Sequence, residues 1–315
     1  MNIAILDTQT FGDVDLSLFD RFGQVAHYQT TSAIQLVSRL QQVEVVITNK
    51  VVLDANTLAQ APQLKLICVA ATGSNNIDLS AAEQLGITVC NVAGYSTASV
   101  VQHTFTLLGN LLGNQHRYIQ DCRAGLWQQS QMFCRLDYAI TELAGKQFMI
   151  YGYGSLGQAV AKVASAFGAN VVISERKGAS VVREGRVAFY DALAQADIVS
   201  LHCPLTTESR DLLSHAEFQR MKPSAVLINT ARGGIVNEQA LADALGDNTI
   251  AAAGVDVLSQ EPASTDNPLV NYQGDNLLLT PHIAWASQES IKRLLEQIAL
   301  NIDSFIAGNA RNRIV

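Results

Sequence analysis

This sequence carries little positive charge. Its 21 Lys and Arg residues are outnumbered by 28 Asp and Glu residues, which leaves a formal net charge of −7 at pH 7. Such a chain has no broad electrostatic attraction to nucleic acid or to an anionic membrane, so neither is expected as a partner. An anionic ligand would have to be held by local groups, such as a helix N-terminus or a single arginine.

Cysteines at disulfide-forming or metal-binding spacings are lacking. The five cysteines are odd in number and scattered, at Cys68, Cys90, Cys122, Cys134 and Cys203. No two of them have the C-x-x-C spacing, so neither a disulfide framework nor a metal site is expected. Reduced thiols of this kind are typical of a cytoplasmic protein.

Long apolar segments are lacking as well. The most apolar stretch, residues 100–112, is interrupted by Gln102, His103 and Asn110. A membrane-spanning helix needs about 20 apolar residues in succession. Residues 1–7 lack the basic region of a secretory signal peptide. We therefore expect the protein in the cytoplasm, without membrane association.

Short apolar, β-branched segments are present and alternate with helical patterns along the whole chain. The first series of predicted strands covers residues 3–6, 45–48, 66–69 and 88–90. The second covers residues 148–151, 171–174, 198–201, 225–229, 250–254 and 277–279. This alternation predicts parallel sheets with helices on both faces. The expected fold class is α/β, with two Rossmann-like or flavodoxin-like doubly wound domains separated by a cleft.

The two series are joined by a helical stretch over residues 97–123, and another long helix over residues 287–307 follows the second series. The simplest packing returns that last helix to the first domain. We therefore expect a discontinuous substrate domain, residues 1–97 plus 286–315, and an inserted NAD-binding Rossmann domain, residues 98–285. A cleft between two such domains is a common ligand site.

The most informative motif is a G-x-G-x-x-G sequence between a predicted strand and a predicted helix. Gly152 allows a tight turn, Gly154 lets a pyrophosphate approach the backbone, and Gly157 lets the helix pack close to the strand. The N–H groups and the positive dipole end of the helix then receive the phosphates. The motif predicts a dinucleotide site.

The next predicted strand ends at Glu175, at the distance expected for the acid that accepts hydrogen bonds from the adenosine ribose. A carboxylate there repels a 2′-phosphate, so the sequence favours NAD (as NADH) over NADP. Arg176 and Lys177 follow directly and would weaken that discrimination.

Three candidate catalytic residues follow the later strands. Arg232 stands beside two glycines, and its planar guanidinium can grip a carboxylate through two N–H bonds. Glu261 and His282 lie in successive loops after strands, where they could form an acid–base pair. Taken alone, Arg232 could equally be a surface arginine paired with an acid, and a lone histidine is usually structural.

Several motifs, spread over essentially the whole chain, resemble those of the D-isomer-specific 2-hydroxyacid dehydrogenase family and occur in the same order. They are GYGSLG with Glu175, LHCPLT (201–206), INTARGGIVNE (228–238), GVDVLSQEP (254–262) and TPHIAWAS (280–287). The resemblance implies that Arg232, Glu261 and His282 form the active site. It implies an enzyme in which His282 donates a proton while NADH reduces a 2-keto acid.

The resemblance also implies further contacts. Backbone groups at Gly73 and Ser74 would bind the substrate, together with Arg232 and His282. The cofactor would contact the three motif glycines and Glu175 as well as Thr97, Ser155, Leu156, Cys203, Pro204, Thr230, Ala231 and Asp256. Within that list, Asp256 would meet the nicotinamide carboxamide and Thr97 the nicotinamide side.

Within the family, the chain looks most similar to bacterial glycerate dehydrogenases, also called hydroxypyruvate reductases. Hydroxypyruvate is the first expected substrate and glyoxylate the second. Two alternatives stay open: a D-lactate or other D-2-hydroxyacid dehydrogenase, and a non-catalytic scaffold that senses NAD(H). The resemblance further implies a homodimer.

Overall fold

A computed structural model describes every residue from Met1 to Val315. The eleven strands, β1 to β11, are Asn2–Ile5, Gln24–His27, Val45–Thr48, Leu66–Val69, Thr88–Cys90, Gln147–Tyr151, Asn170–Ile173, Ile198–Leu201, Val226–Asn229, Ala252–Val255 and Leu277–Leu279. The ten α-helices, α1 to α10, are Ala33–Leu40, Ala55–Ala59, Leu79–Gln84, Thr97–Gly113, Gln115–Arg123, Ser155–Ala166, Phe189–Gln195, His215–Phe218, Glu238–Gly246 and Gln288–Ile306. Two short 3-10 helices, Thr8–Phe11 and Ser17–Phe22, follow β1.

The chain divides into two compact units. Unit 1 consists of Met1–Ser96 and Ala286–Val315, and unit 2 of Thr97–Trp285. Each unit holds one sheet whose strands all run parallel, so the α/β class with two parallel-sheet domains is the observed fold.

Unit 1 has a five-stranded sheet in the order β2-β1-β3-β4-β5. Residues of β1, β3 and β4 are almost all buried, as expected of parallel strands covered on both faces. Polar residues set the starts of several helices. The Asp54 and Asp78 carboxylates cap α2 and α3, and the Ser287 hydroxyl caps α10.

The far edge of this sheet is covered by the last residues of unit 1. Val315 accepts a backbone hydrogen bond from Val89, and Ile314 donates one back to Val89 at 2.7 Å. Cys90 and Arg313 form an antiparallel bridge. Strand β5 is therefore not left as an open edge.

Unit 2 has a six-stranded sheet in the order β11-β10-β9-β8-β6-β7. The order in which successive strands are placed across the sheet reverses between β6 and β8. Strand β7 lies on one side of β6, and β8 and all later strands lie on the other side. In open α/β sheets, ligands bind outside the carboxyl ends of the strands at such a reversal. The loops after β6 and β8 are therefore the expected location of a ligand site.

Several element bounds differ by one residue from the sequence-based expectation, and larger differences occur in three places. The helical stretch over residues 97–123 is two helices, because Asn114 adopts a left-handed conformation (φ 48°) between α4 and α5. Strand β2 was not predicted, since Gln24–His27 is only half-buried and lacks a continuous apolar run. The strand predicted over residues 250–254 is observed at Ala252–Val255, a shift of two residues at its start.

None of the helices is both long enough and apolar enough to cross a lipid bilayer.

Candidate active site

The turn after β6 is built on close backbone contact. Gly152 has a φ of 95°, which favours glycine, and a Cβ placed on it would lie 2.6 Å from the backbone of His202. His202 begins the loop after β8. The loops on the two sides of the reversal point are therefore in contact, and the glycine is what allows it.

The other two motif glycines have different surroundings. A Cβ on Gly157 would lie 2.1 Å from the carbonyl oxygen of Gly152, so the start of α6 is pressed against the turn. A Cβ on Gly154 would meet nothing within 4 Å. Gly154 is the N-cap of α6, whose first turn presents the N–H groups of Ser155 and Leu156 without helical acceptors. This open cradle of donors fits a pyrophosphate.

Glu175 follows β7 and is 3% exposed. Its Oε1 accepts hydrogen bonds from the backbone N–H of Arg176 at 2.8 Å and from Nη2 of Arg183 at 2.5 Å. Its Oε2 accepts from Nε of Arg183 at 2.7 Å. Hydrogen bonding to the Arg183 side chain, together with that backbone N–H, holds the pKa of Glu175 well below its usual range, so the group is ionised.

The loop after β8 supplies a strip of uncharged groups. Burial raises the pKa of the Cys203 thiol to about 11 and lowers the pKa of His202 to about 4, so both are neutral at physiological pH. Nε2 of His202 lies 2.8 Å from the Ser200 hydroxyl oxygen. The carbonyl of Pro204 accepts a hydrogen bond from Ser209. Neutral, partly apolar groups of this kind suit the face of an adenine ring.

Arg232 follows β9 and is exposed. The Asn229 side chain shapes this turn, since it accepts from the Ala231 N–H at 3.1 Å and donates to the Arg232 carbonyl at 3.1 Å. A Cβ on Gly233 would lie 1.9 Å from the carbonyl oxygen of Leu258. The segment that carries Arg232 therefore touches the segment that leads to Glu261.

Glu261 and His282 are in direct contact. Oε2 of Glu261 lies 2.6 Å from Nδ1 of His282, and Oε1 accepts from the Leu258 N–H at 3.0 Å. His282 has a φ of 54°, an uncommon conformation for a residue with a side chain. Such strain is found where surrounding contacts impose it, and it is concentrated at functional sites.

Those surrounding contacts converge on Asp256, which is 1% exposed. Its Oδ1 accepts from the Thr280 hydroxyl at 2.6 Å and from the Ile283 N–H at 3.0 Å, and its Oδ2 accepts from the Ala284 N–H at 2.9 Å. Burial raises the pKa of Asp256, but hydrogen bonds from His103, Thr280 and these N–H groups outweigh it, so the pKa is lowered. Asp256 thus fastens both sides of the turn that carries His282.

Helix α4 lies beneath this region. The hydroxyls of Thr104 and Thr230 lie 3.1 Å apart, and Ser99 donates to the Ala284 carbonyl at 2.6 Å. A Cβ on Gly254, in β10, would lie 3.0 Å from Cβ of Leu107, so the helix packs closely on the strand. Thr97 is the first residue of α4.

Within unit 2, Glu261 and His282 are in contact. The segment that carries Arg232 packs at Gly233 against Leu258, in the segment that leads to Glu261. The structure places the glycine turn, the Cys203–Pro204 loop and Glu175 at the carboxyl ends of β6, β8 and β7. Gly73 and Ser74 belong to unit 1, where they follow β4 and are half-buried. No cluster of three or more His, Cys, Asp or Glu side chains is arranged to hold a metal ion.

Sequence reasoning missed several contributors to this site. The paired glycines beside Arg232 were a signal for the close approach at Gly233. His103 and Thr280, which support Asp256, stand out only once helix α4 is placed against the strands. Arg183 gave no signal, because it lies in a loop eight residues beyond its partner Glu175.

Known proteins are similar to this chain over nearly its whole length. A glycerate dehydrogenase of Methylorubrum extorquens is 39% identical over 311 residues, which is 98% of each chain. A hydroxypyruvate reductase of Blautia hydrogenotrophica is 35% identical over 320 residues, which is 99% of each chain.

Solved structures share the fold. An acyclic imino acid reductase in complex with NADPH and D-Arg superposes with a TM-score of 0.87, at 27% identity and full coverage of both chains. A D-lactate dehydrogenase of Aquifex aeolicus with NAD and lactic acid superposes with a TM-score of 0.82, at 25% identity, covering 98% of this chain and 96% of that one.

Residues 105–284 match the family model described as D-isomer specific 2-hydroxyacid dehydrogenase, NAD binding domain. This match spans most of unit 2, including the glycine turn, Arg232, Glu261 and His282. Together with the identities of the two full-length relatives, it shows that the chain belongs to the D-isomer specific 2-hydroxyacid dehydrogenase family.

Proposed function

We propose that this protein reduces hydroxypyruvate to D-glycerate, and glyoxylate as a second substrate, with NADH as reductant and His282 as proton donor. The observation that carries the proposal is the 2.6 Å contact between Glu261 and His282, on loops at the same edge of the sheet as the glycine turn.

The role of His282 rests on which ring nitrogen is engaged. Nδ1 faces the Glu261 carboxylate, which leaves Nε2 to donate to a substrate carbonyl oxygen. The carboxylate holds the ring in one orientation. As the carbonyl is reduced, negative charge develops on its oxygen, and a protonated ring placed there stabilises the transition state more than the ground state.

Arg232 would bind the substrate carboxylate. Its guanidinium is exposed rather than buried in an ion pair, and only one hydrogen bond, from Nη1 to the Ala231 carbonyl at 2.6 Å, ties it to its own turn. The remaining N–H groups can form the paired bonds that a carboxylate accepts. That Gly73 and Ser74 also bind the substrate stays a prediction from the resemblance.

Glycines 152, 154 and 157, with the N–H groups of Ser155 and Leu156, would hold the pyrophosphate of a nicotinamide dinucleotide. Cys203 and Pro204 would line the adenosine, and Thr230, Ala231 and Thr97 would lie toward the nicotinamide. When bound, the reduced dinucleotide supplies the hydride. Asp256 would meet the nicotinamide carboxamide. Because its oxygens also accept hydrogen bonds from both sides of the turn around His282, Asp256 would position this turn as well.

The choice of substrate is supported by the full-length relatives, which are named as a glycerate dehydrogenase and a hydroxypyruvate reductase. A D-lactate or other D-2-hydroxyacid dehydrogenase is the second candidate, because a D-lactate dehydrogenase shares the fold.

The test is NADH oxidation with hydroxypyruvate, glyoxylate and pyruvate compared side by side. We expect kcat/KM to be highest for hydroxypyruvate, then glyoxylate. A preference for pyruvate would favour the D-lactate reading. No oxidation with any 2-keto acid would overturn the enzymatic proposal and favour a scaffold that only senses NAD(H).

We also propose a homodimer. The segment after α5 exposes several large apolar side chains, among them Phe133 at 92% and Leu136 at 70%, and Trp127, Met132 and Ile140 are exposed beside them. The Trp127 Nε1–H donates to the Phe133 carbonyl at 3.0 Å, so the segment is held in a defined shape. Because large exposed apolar patches commonly mark protein–protein interfaces, this segment is the surface on which the two subunits would meet.

A further inference from the structure

The group at the end of β7 that faces solvent is a guanidinium and not a carboxylate. Glu175 is 3% exposed, whereas the Arg183 side chain that covers it is 53% exposed. Arg176 is exposed beside them, and Nη1 of Arg186 lies 4.0 Å from the same carboxylate. One negative charge is thus surrounded by three positive ones.

The Glu175 carboxylate also has no remaining capacity to accept hydrogen bonds. A carboxylate offers about four lone-pair sites. Four N–H groups occupy them: the backbone N–H groups of Arg176 and Arg183, at 2.8 and 3.3 Å, and Nε and Nη2 of Arg183, at 2.7 and 2.5 Å. A ribose 2′,3′-diol could bind this carboxylate only by displacing Arg183.

In a dinucleotide-binding sheet, this position lies beside the 2′-oxygen of the adenosine ribose. A free carboxylate there rejects a 2′-phosphate by repulsion, whereas an exposed arginine binds one through charge-assisted hydrogen bonds. We propose that Arg183 is a specificity-determining residue that masks Glu175 and binds the 2′-phosphate of NADPH, so that the protein accepts NADPH as well as NADH. This inference rests on the proposed dinucleotide site.

The test is calorimetric binding of two redox-inactive fragments that differ only in the 2′-phosphate: ADP-ribose and 2′-phospho-ADP-ribose. The wild-type protein is expected to bind both, with Kd values within about tenfold of each other. Arg183→Ala is expected to weaken 2′-phospho-ADP-ribose by about tenfold or more, because it removes a charge-assisted contact and uncovers a carboxylate. ADP-ribose binding should stay equal or become tighter.

Arg123→Ala is the matched control, since Arg123 is an exposed arginine at the end of α5 and its loss changes the net charge equally. It should leave the ratio of the two Kd values unchanged. Because Arg183→Ala leaves a buried carboxylate without its partner, Arg183→Gln, which keeps an N–H donor, is made in parallel and should show the same loss for the 2′-phosphorylated fragment.

The outcomes separate two failures. If neither fragment binds the wild-type protein, the dinucleotide site itself is wrong and this inference fails with it. If ADP-ribose binds and 2′-phospho-ADP-ribose binds more than about 100-fold more weakly, the site stands and the role of Arg183 is wrong. Equal loss of both fragments in the Arg183 variants would also overturn it, because Arg183 would then only maintain the fold.

Discussion

The hydroxyl of Thr280 donates a hydrogen bond to Oδ1 of Asp256 at 2.6 Å, directly before the turn that carries His282. The same carboxylate accepts the N–H groups of Ile283 and Ala284 on the other side of that turn. A single buried acid therefore holds both flanks of a residue whose backbone is in the left-handed region. The orientation of His282 depends on this support as well as on Glu261.

Replacement of His282 by alanine should lower kcat for hydroxypyruvate reduction by about 10²-fold or more, because general acid catalysis typically contributes that much. NADH binding, measured by fluorescence titration, should persist. His215→Ala is the control, since His215 is an exposed histidine of α8 whose Nε2 lies 3.0 Å from Oδ2 of Asp243 in α9. Near-normal turnover in His282→Ala would refute its role as proton donor.

Replacement of Glu261 by glutamine should lower kcat for hydroxypyruvate reduction by about tenfold or more, because the amide lacks the charge that strengthens the contact with Nδ1 and holds Nε2 toward the substrate. ADP-ribose binding should persist. Glu296→Gln, at an exposed position of α10, should leave kcat unchanged. Near-normal kcat in the Glu261 variant would mean that this carboxylate does not position His282.

Replacement of Asp256 by asparagine should destabilise the protein in a pH-dependent way. The pKa of Asp256 is lowered in the folded state, so its ionised form contributes stability above its ordinary value of 3.8 and that contribution is lost as the pH falls through the folded-state pKa. The variant should lose about 1–3 kcal/mol of unfolding free energy at pH 7, and the difference should shrink at pH 3.

Urea unfolding at the two pH values checks this prediction, with the exposed Asp247→Asn as the control. A difference from wild type that is equally large at both pH values would show that the charge of Asp256 is not what stabilises the turn. Turnover should fall together with stability, because the turn that carries His282 loses its support.

Gly157→Ala and Gly109→Ala form a matched pair, because both glycines lie in helices. A Cβ at Gly157 would lie 2.1 Å from the Gly152 carbonyl, whereas a Cβ at Gly109 would meet nothing within 4 Å. Gly157→Ala should push α6 from the turn and weaken ADP-ribose binding. Gly109→Ala should raise the unfolding free energy by about 0.5–1 kcal/mol. Equal binding of ADP-ribose by the two variants would argue against the cradle.

The exposed apolar segment after α5 predicts concentration-dependent assembly. Phe133→Asp should shift the mass measured by light scattering from dimer toward monomer, because a charge cannot be buried unpaired in an apolar interface. Ile34→Asp, at a residue that is 94% exposed in unit 1, is the control and should leave the mass unchanged. A wild-type protein that is monomeric at all concentrations would refute the dimer.

Much of the fold followed from the sequence, because parallel strands buried on both faces are continuous apolar runs. Residues such as 45–48 and 66–69 were predicted at their observed bounds. Strand β2 was missed because its alternation is weak and its burial depends on pairing with β1. The break at Asn114 was missed because a left-handed asparagine leaves no periodicity signal.

The candidate site was predictable to the extent that its chemistry is local. The glycine turn can be recognised because Gly152 and Gly157 lie against nearby backbone and Gly154 leaves room for a ligand. Glu175 can be recognised because its distance from that turn is set by one helix and one strand. Arg183 could not be recognised, since its contact with Glu175 depends on how an irregular loop folds back. For the same reason the sequence predicted a carboxylate open to the ribose, where the structure has one that is covered.

The discontinuity of unit 1 sets an order of events during synthesis on the ribosome. Thr97–Trp285 emerges as an unbroken stretch that contains all six strands of its own sheet. The first 96 residues emerge earlier, yet they must wait for α10 and for the residues that cover β5. The unit whose residues begin to emerge first is therefore the unit that is completed last, and until then β5 lacks the residues that cover its edge.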